Sequence, residues 1–154
     1  MSCNTSIEDS IQAQSIHVGL LASEIASEVR YAQRPNVELI KIHMERLDKW
    51  YEELPATMRL DTLNSKYLEI FSHFQKRSIL LVHMLSLGAL TLLHRPVLVA
   101  IAKSQLAGIW GLSCSVEDCT TYQEYCFLAA RQASKIASLL QYDIGTPKRC
   151  WVST

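Results

Sequence analysis

Apolar residues recur at every third or fourth position along most of the chain, which is the spacing of one face of an α-helix. The first such stretch ends before Pro35 and predicts an N-terminal helix. Thr5 and Glu8 fit a capping box, in which the hydroxyl and the carboxylate bond free backbone amides at a helix start. The apolar face of this helix is predicted to carry Ile7, Ile11, Val18, Leu21, Ile25 and Val29.

A second helix is predicted between Asn36 and Leu54. Asn36 is of a residue type that caps helix N-termini, and Leu54 precedes Pro55, which pushes it out of the α-helical region. Charged residues occupy much of one side of this segment. The apolar side is predicted to carry Val37, Ile40, Met44, Leu47 and Tyr51.

The second half of the chain predicts three more helices after a short connection at residues 56–64. The first runs from about 65 to 93, and its second half is apolar nearly all round, as in a helix surrounded by others. Pro96 is expected to open a short fourth helix, because its missing amide costs nothing in a first turn. A fifth helix is expected from Ser115 to about Tyr142. Its lining residues are predicted to be Cys126, Ala129, Ala130, Ser134, Ile136, Leu139 and Leu140.

No stretch alternates apolar and polar residues over the length of a strand. The sequence therefore predicts an all-α protein, an irregular helical bundle of about five helices with one long central apolar helix. Residues 1–34 are expected to form an N-terminal amphipathic helix, and residues 35–154 one continuous helical unit.

Composition narrows the class of protein. The 154 residues are enough for one domain with a sizeable core, and the 15 basic and 15 acidic side chains cancel. A net charge of zero argues against a chain that binds nucleic acid along its whole surface. The longest uncharged run, residues 78–93, is shorter than the roughly 20 apolar residues of a membrane span. We interpret it as part of a core helix and expect no membrane partner.

Cysteine and histidine spacing gives little sign of chemistry. Cys114, Cys119 and Cys126 are the densest group of candidate metal ligands, but they include no paired CxxC, so packing is the favoured interpretation. His83, inside the apolar run, is interpreted as a neutral core histidine. No phosphate-binding loop or HExxH pair is present. We therefore expect no catalytic, metal or cofactor residues in this chain, and no small-molecule substrate.

Two segments at predicted helix ends can be explained by their roles in helix packing and helix termination. Trp50 and Leu54, four residues apart, are expected to pack on one helical face. Arg95 is expected just after a long apolar helix, where a cation complements the negative end of the helix dipole.

Taken together, the segments at residues 47–55 and 93–96 resemble a known family. The first is similar to the "L..W...LP" motif of the middle homology region of fungal transcription factors that carry a binuclear zinc cluster, and the second matches the family's "LHRP". Residues 126–140 are similar to a third family motif, "C..AA..I..LL". The residues that carry the resemblance are Leu47, Trp50, Leu54, Pro55, His94, Arg95, Pro96, Cys126, Ala129 and Ala130.

The resemblance implies an all-α regulatory domain of a nuclear transcription regulator that modulates activity through intramolecular or partner contacts. In that family a separate module with six cysteines in two C-x2-C-x6-C groups binds zinc and DNA. The five cysteines here do not have that spacing. We therefore expect a partial regulatory domain that reaches DNA only through a module absent from this sequence, with a protein partner or a second copy as its contact.

Two alternatives to this function remain open on the sequence. The first is a short α-helical interaction protein that dimerises with a full-length relative and modulates it. The second is a small membrane-associated protein that uses residues 78–102 as a helical hairpin.

Overall fold

Four α-helices and one short 3-10 helix make up the part of the chain that the computed structural model describes, residues 2–31, 36–60, 71–107 and 116–142. The elements in order are α1 (Ser2–Tyr31), α2 (Val37–Glu53), the 3-10 helix (Ala56–Met58), α3 (His73–Ala107) and α4 (Val116–Tyr142). These ranges contain no strand, which confirms the all-α class. The expected count of about five α-helices is one too high for the described residues.

Helix α1 begins earlier than predicted. It starts at Ser2, so Thr5 lies inside the helix and the expected capping box with Glu8 is wrong as a helix start. The amides that follow Thr5 bond to carbonyls one turn earlier, as in any helix interior. The predicted apolar face is confirmed by its buried members, which are Ile11, Val18, Leu21 and Ile25.

Helix α2 has the predicted ends. The Asn36 side-chain oxygen accepts hydrogen bonds from the amides of Glu38, at 3.0 Å, and Leu39, at 3.3 Å. The last helical residue is Glu53, and Leu54 adopts an extended backbone before Pro55. Its buried residues are Ile40, His43, Leu47 and Trp50.

Helix α3 does not begin where its apolar pattern predicted. Phe71 and Ser72 are not helical, so the expected helix from about residue 65 is interrupted there. Ser72 and Gln75 form a capping box: the Ser72 amide donates to Gln75 Oε1 at 3.0 Å, and the Gln75 amide donates to Ser72 Oγ at 3.2 Å. This reciprocal pair sets the start of α3 at His73. Residues 61–70 lie outside the described part of the chain.

Pro96 lies inside α3 instead of opening a new helix, so the separate fourth helix is not formed. A proline in this position leaves the Leu92 carbonyl without its helical donor. Leu93, Val97 and Ile101, on both sides of the proline, are buried in one core cluster. Their packing offsets the missing hydrogen bond and keeps the helix continuous. The predicted breaks at Gly108, Gly111 and Ser115 lie outside the described residues.

The core has two clusters that show how the helices run. The larger cluster contains residues from all four helices, among them Ile25, Trp50, Leu93 and Tyr122. The smaller cluster joins Ile79 and Leu80 of α3 to Ile136 of α4, together with Ile11, Met58 and Phe71. The start of α4 therefore lies beside the later turns of α3, and its end beside the first turns. Helix α4 is antiparallel to α3.

The back of α3 is not covered by the other helices that the structure describes, contrary to the expectation for an apolar helix in the centre of a bundle. Leu81, Leu85 and Val99 keep 46%, 47% and 43% of their surface exposed. His73–Leu106 is long and apolar enough to cross a membrane, and 28% of its most apolar window is buried. Because α3 is one continuous helix, it does not form the hairpin that the membrane alternative required.

Candidate functional site

Trp50, from the first family-like segment, connects three elements. Its side chain is 1% exposed, and its indole Nε1 donates a hydrogen bond to Gln14 Oε1 of α1 at 3.0 Å. The ring meets the edge of His83 of α3 with 6.2 Å between centroids. Leu47 and Leu54 are buried in the same cluster. Leu54 lies in the same cluster as Trp50, but it follows the last residue of α2, so the two do not share a helical face as predicted.

His83 is buried, as predicted for a core histidine. Its Nε2 lies 2.7 Å from the backbone carbonyl of Met58 in the 3-10 helix. A carbonyl only accepts, so Nε2 carries the proton in that bond. Burial lowers the pKa of His83, and the Met58 carbonyl opposes this effect in part. The neutral ring is therefore favoured in the folded chain.

His94, the histidine of the second family-like segment, is fully buried. Its Nδ1 bonds the Leu90 carbonyl at 2.7 Å, and burial lowers its pKa. On the α4 side the ring packs against Tyr122, with centroids 5.6 Å apart, and stacks on Tyr125 at 6.1 Å. Among the described residues its Nε2 has no hydrogen-bond partner. His94 thus acts as a contact between α3 and the helix that carries the third motif.

The other motif residues have separate positions. Arg95 is exposed in the interior of α3, so its expected place at a helix C-terminus is wrong. Pro96 is half-buried in the same helix, and Pro55 is exposed beyond the end of α2. On α4, Ala129 is buried and Cys126 half-buried, whereas Ala130 is exposed. The side chains of Cys114 and Cys119 lie outside the described residues.

Two polar pairs between α1 and α2 were not predicted. His43 is 1% exposed, and its Nε2 lies 2.8 Å from Glu28 Oε2, while Arg46 pairs with Glu24. The hydrogen bond from Arg46 lowers the pKa of Glu24. Glu24 and Glu28 lie one turn apart, and so do His43 and Arg46. This matching spacing was visible in the sequence, but only the antiparallel arrangement of the two helices brings the pairs together.

The geometry offers little for catalysis or metal binding. Within the described ranges, no three histidine, cysteine or acidic side chains are placed to hold a metal ion. One open depression of about 500 Å³ lies where the first turns of α3 meet α1. It mixes polar and apolar groups from Glu8, Gln12, Ser15, Ile16, Phe74 and Gln75.

The motif residues that the structure brings together are therefore contacts between helices. Trp50 joins α2 to α1 and α3, and His94 joins α3 to α4. Comparison of the chain with protein-family models, with curated proteins and with solved structures finds no match in any of the three.

Proposed function

We propose that this chain is a transcription-regulatory domain of the fungal zinc-cluster type that works in the nucleus through protein contacts. In this proposal it has no catalytic role, holds no metal or cofactor, and reaches DNA only through a separate module. The family resemblance is carried by the motif residues, and the packing of two of them is the main support.

That support comes from Trp50 and His94. Each is almost completely buried, and each lies where one helix meets another. Motifs built from buried residues of this kind specify how helices pack against one another. Residues with that role are expected in the motifs of a family whose common domain has no catalytic function. The exposed surfaces are then left for partner contacts.

A tethered reporter assay tests this function. The full chain is fused to an unrelated DNA-binding domain in a fungal reporter strain, and reporter expression is compared with that of the DNA-binding domain alone. We expect a several-fold change in either direction. Trp50→Ala should abolish the change because it removes a core contact, while His17→Gln, at an exposed position of α1, should keep it.

The proposal is overturned if the fusion is nuclear, equally abundant and indistinguishable from the DNA-binding domain alone. A gel-shift titration of the purified chain gives a second test. We expect no sequence-specific complex, and a tight, specific complex would contradict the separation of regulation from DNA binding.

A second candidate function is a helical interaction protein without a role in transcription. The uncovered apolar back of α3 favours it, because exposed apolar surface of this kind marks interaction sites. The assays distinguish the two candidate functions. An interaction protein without a role in transcription should bind a partner in solution, and its tethered fusion should be inactive.

A further inference from the structure

A continuous line of small and apolar residues follows the back of α3. Counting from Leu81, its members are separated alternately by four and three positions, and Arg95 is the only charged member. We call this line the outer row. It consists of Leu81, Leu85, Gly88, Leu92, Arg95, Val99, Ala102 and Leu106.

The outer row faces away from the core. At 3.6 residues per turn its positions lie about 120–180° around the helix from Ile79 and Val97, which are both buried. Leu106 is 89% exposed, and a Cβ built on Gly88 meets no atom within 4 Å. Apart from Leu92, which is half-buried, the row is therefore exposed along its length.

Its dimensions fit one helix. From Leu81 to Leu106 the row extends about 38 Å at 1.5 Å per residue. The alternation of four and three matches the contact positions of a two-helix coiled coil, where apolar residues repeat every 3.5 positions. Neighbouring positions such as Met84, Thr91 and Leu98 are half-buried. The exposed strip is thus about one helix wide, which suits a single helix better than a flat bilayer surface.

The charges of α3 indicate which kind of helix fits. Helix α3 contains no aspartate or glutamate. Of its four lysine and arginine residues, Lys76 is half-buried, and the other three are exposed on the row or within one position of its line, namely Arg77, Arg95 and Lys103. Two copies joined back to back would bring these cations together with no acidic residue of α3 between them. Like charges in contact disfavour such a pair, and acidic residues would complement it.

We propose that the outer row of α3 is the docking surface for an acidic amphipathic helix of a partner protein. The partner's apolar residues pack along the row, and its carboxylates pair with Arg77, Arg95 and Lys103. This inference deepens the proposed function, on which it rests for its biological setting, by naming the chemistry of the partner.

The test uses the purified full chain and a fluorescein-labelled synthetic helix of about four heptads, with leucine at a and d and glutamate at e and g. Fluorescence anisotropy should show saturable one-to-one binding that weakens as salt is raised. Leu85→Glu should weaken it by about tenfold or more, since it places a carboxylate in the middle of the row. Arg95→Gln should weaken it less.

Leu20→Glu is the matched control. Leu20 is an exposed leucine within α1, and the substitution changes charge and size identically. It should leave the anisotropy titration unchanged. A second control peptide carries lysine in place of every glutamate, and we expect it not to bind.

Four results overturn the inference: no binding by a chain that is folded by circular dichroism, an equal loss in Leu20→Glu, equal binding of the lysine peptide, or Leu85→Glu binding as wild type. Co-sedimentation with phosphatidylserine vesicles, lost in Leu85→Glu, would assign the row to a membrane instead. A dimer in light scattering, lost in the same variant, would assign it to a second copy.

Failure of this inference is distinct from failure of the proposed function. An active tethered fusion that does not bind the acidic helix keeps the regulatory domain and removes only this surface. Binding of the acidic helix with an inactive fusion keeps the surface and removes the role in transcription.

Discussion

Trp50 concentrates several contacts in one side chain. Trp50→Ala is expected to lower the free energy of unfolding by about 3–5 kcal/mol, because a fully buried ring is lost and a cavity remains. Trp50→Phe keeps most of the packing and loses the hydrogen bond to Gln14, so we expect a smaller loss. Urea denaturation followed by far-ultraviolet circular dichroism measures both. A loss below about 1 kcal/mol for Trp50→Ala would contradict the burial of the ring.

Two of the buried histidines, His83 and His94, give the chain a pH-dependent stability. Burial lowers the pKa of His83 and of His94 below the ordinary value of 6.5, so the unfolded chain binds more protons than the folded chain just below that pH. The free energy of unfolding is therefore expected to be constant with respect to these groups above about pH 7 and to fall as the pH decreases through 6.5. Urea midpoints between pH 5.5 and 7.5 measure the slope.

Substitution identifies the source of that slope. His83→Gln keeps an N–H that can reach the Met58 carbonyl but does not titrate, so its slope should be shallower than that of wild type. His17→Gln changes an exposed histidine and should leave the slope as it is. An unchanged slope in His83→Gln would show that this ring is not held neutral.

Single residues were predictable where the signal was local. The burial of His83 follows from the apolar run around it, whereas the apolar side predicted for the second helix included Tyr51, which is half-buried, in place of the buried Trp50. The pairing of His43 with Glu28, and of His94 with Tyr122 and Tyr125, depends on a side chain from another helix. No pattern along one helix specifies that partner, so these contacts could not be predicted.

Helix α3 is the element in which sequence and structure differ most. Pro96 is a helix breaker by itself, and a break there was the reasonable expectation. The structure continues because Leu93, Val97 and Ile101 are all anchored in one cluster. Local helix propensity gives the cost of a proline inside a helix, but it does not show whether tertiary packing outweighs that cost.

Pro96→Ala tests the continuity of α3. In a continuous helix the new amide can donate to the Leu92 carbonyl, so we expect a gain of up to about 3 kcal/mol in the free energy of unfolding. A proline in the first turn of a separate helix would already be favourable there. A substitution that is neutral or destabilising in urea denaturation would therefore contradict a helix that runs through Pro96.

Capping patterns show why helix starts were predicted unevenly. Asn36 was recognised and caps α2. Thr5-x-x-Glu8 and Ser72-x-x-Gln75 have the same pattern, yet only the second begins a helix. Phe71, immediately before Ser72, is buried in the smaller core cluster, which fixes the chain at that point. A capping pattern in the sequence therefore indicates a possible helix start, and a tertiary contact beside it determines whether the helix begins there.

The whole molecule has one helix that is apolar on both its inner and outer sides. An all-round apolar helix predicts burial on every face, but the described helices cover only the inner side of α3. Composition cannot distinguish a helix surrounded by others from one with an uncovered back. The position of the outer row therefore required the structure, whereas the all-α class and most helix ends did not.

Two leucines of α3 test this difference between its sides. Leu85→Glu, on the outer row, should change the free energy of unfolding by less than about 0.5 kcal/mol and reduce fluorescence of an apolar dye bound to the native chain. Leu93→Glu, at a position that is 1% exposed, should prevent stable folding because it buries a charge. Similar stabilities for the two variants in thermal melts would contradict the assignment of inner and outer sides.

The packing of α4 has a consequence for how the chain opens. Helix α4 packs chiefly against α3, and between its buried Tyr122 and Ile136 the covered positions carry only small side chains, which are Cys126, Ala129 and Ala133. The interface between α4 and α3 therefore buries little apolar surface per turn. The free energy needed to detach α4 should be lower than the free energy of unfolding of the rest of the core. Native-state hydrogen exchange should then show α4 amides exchanging as one group, ahead of those in the middle of α3. Each such opening exposes the ring of His94 to solvent.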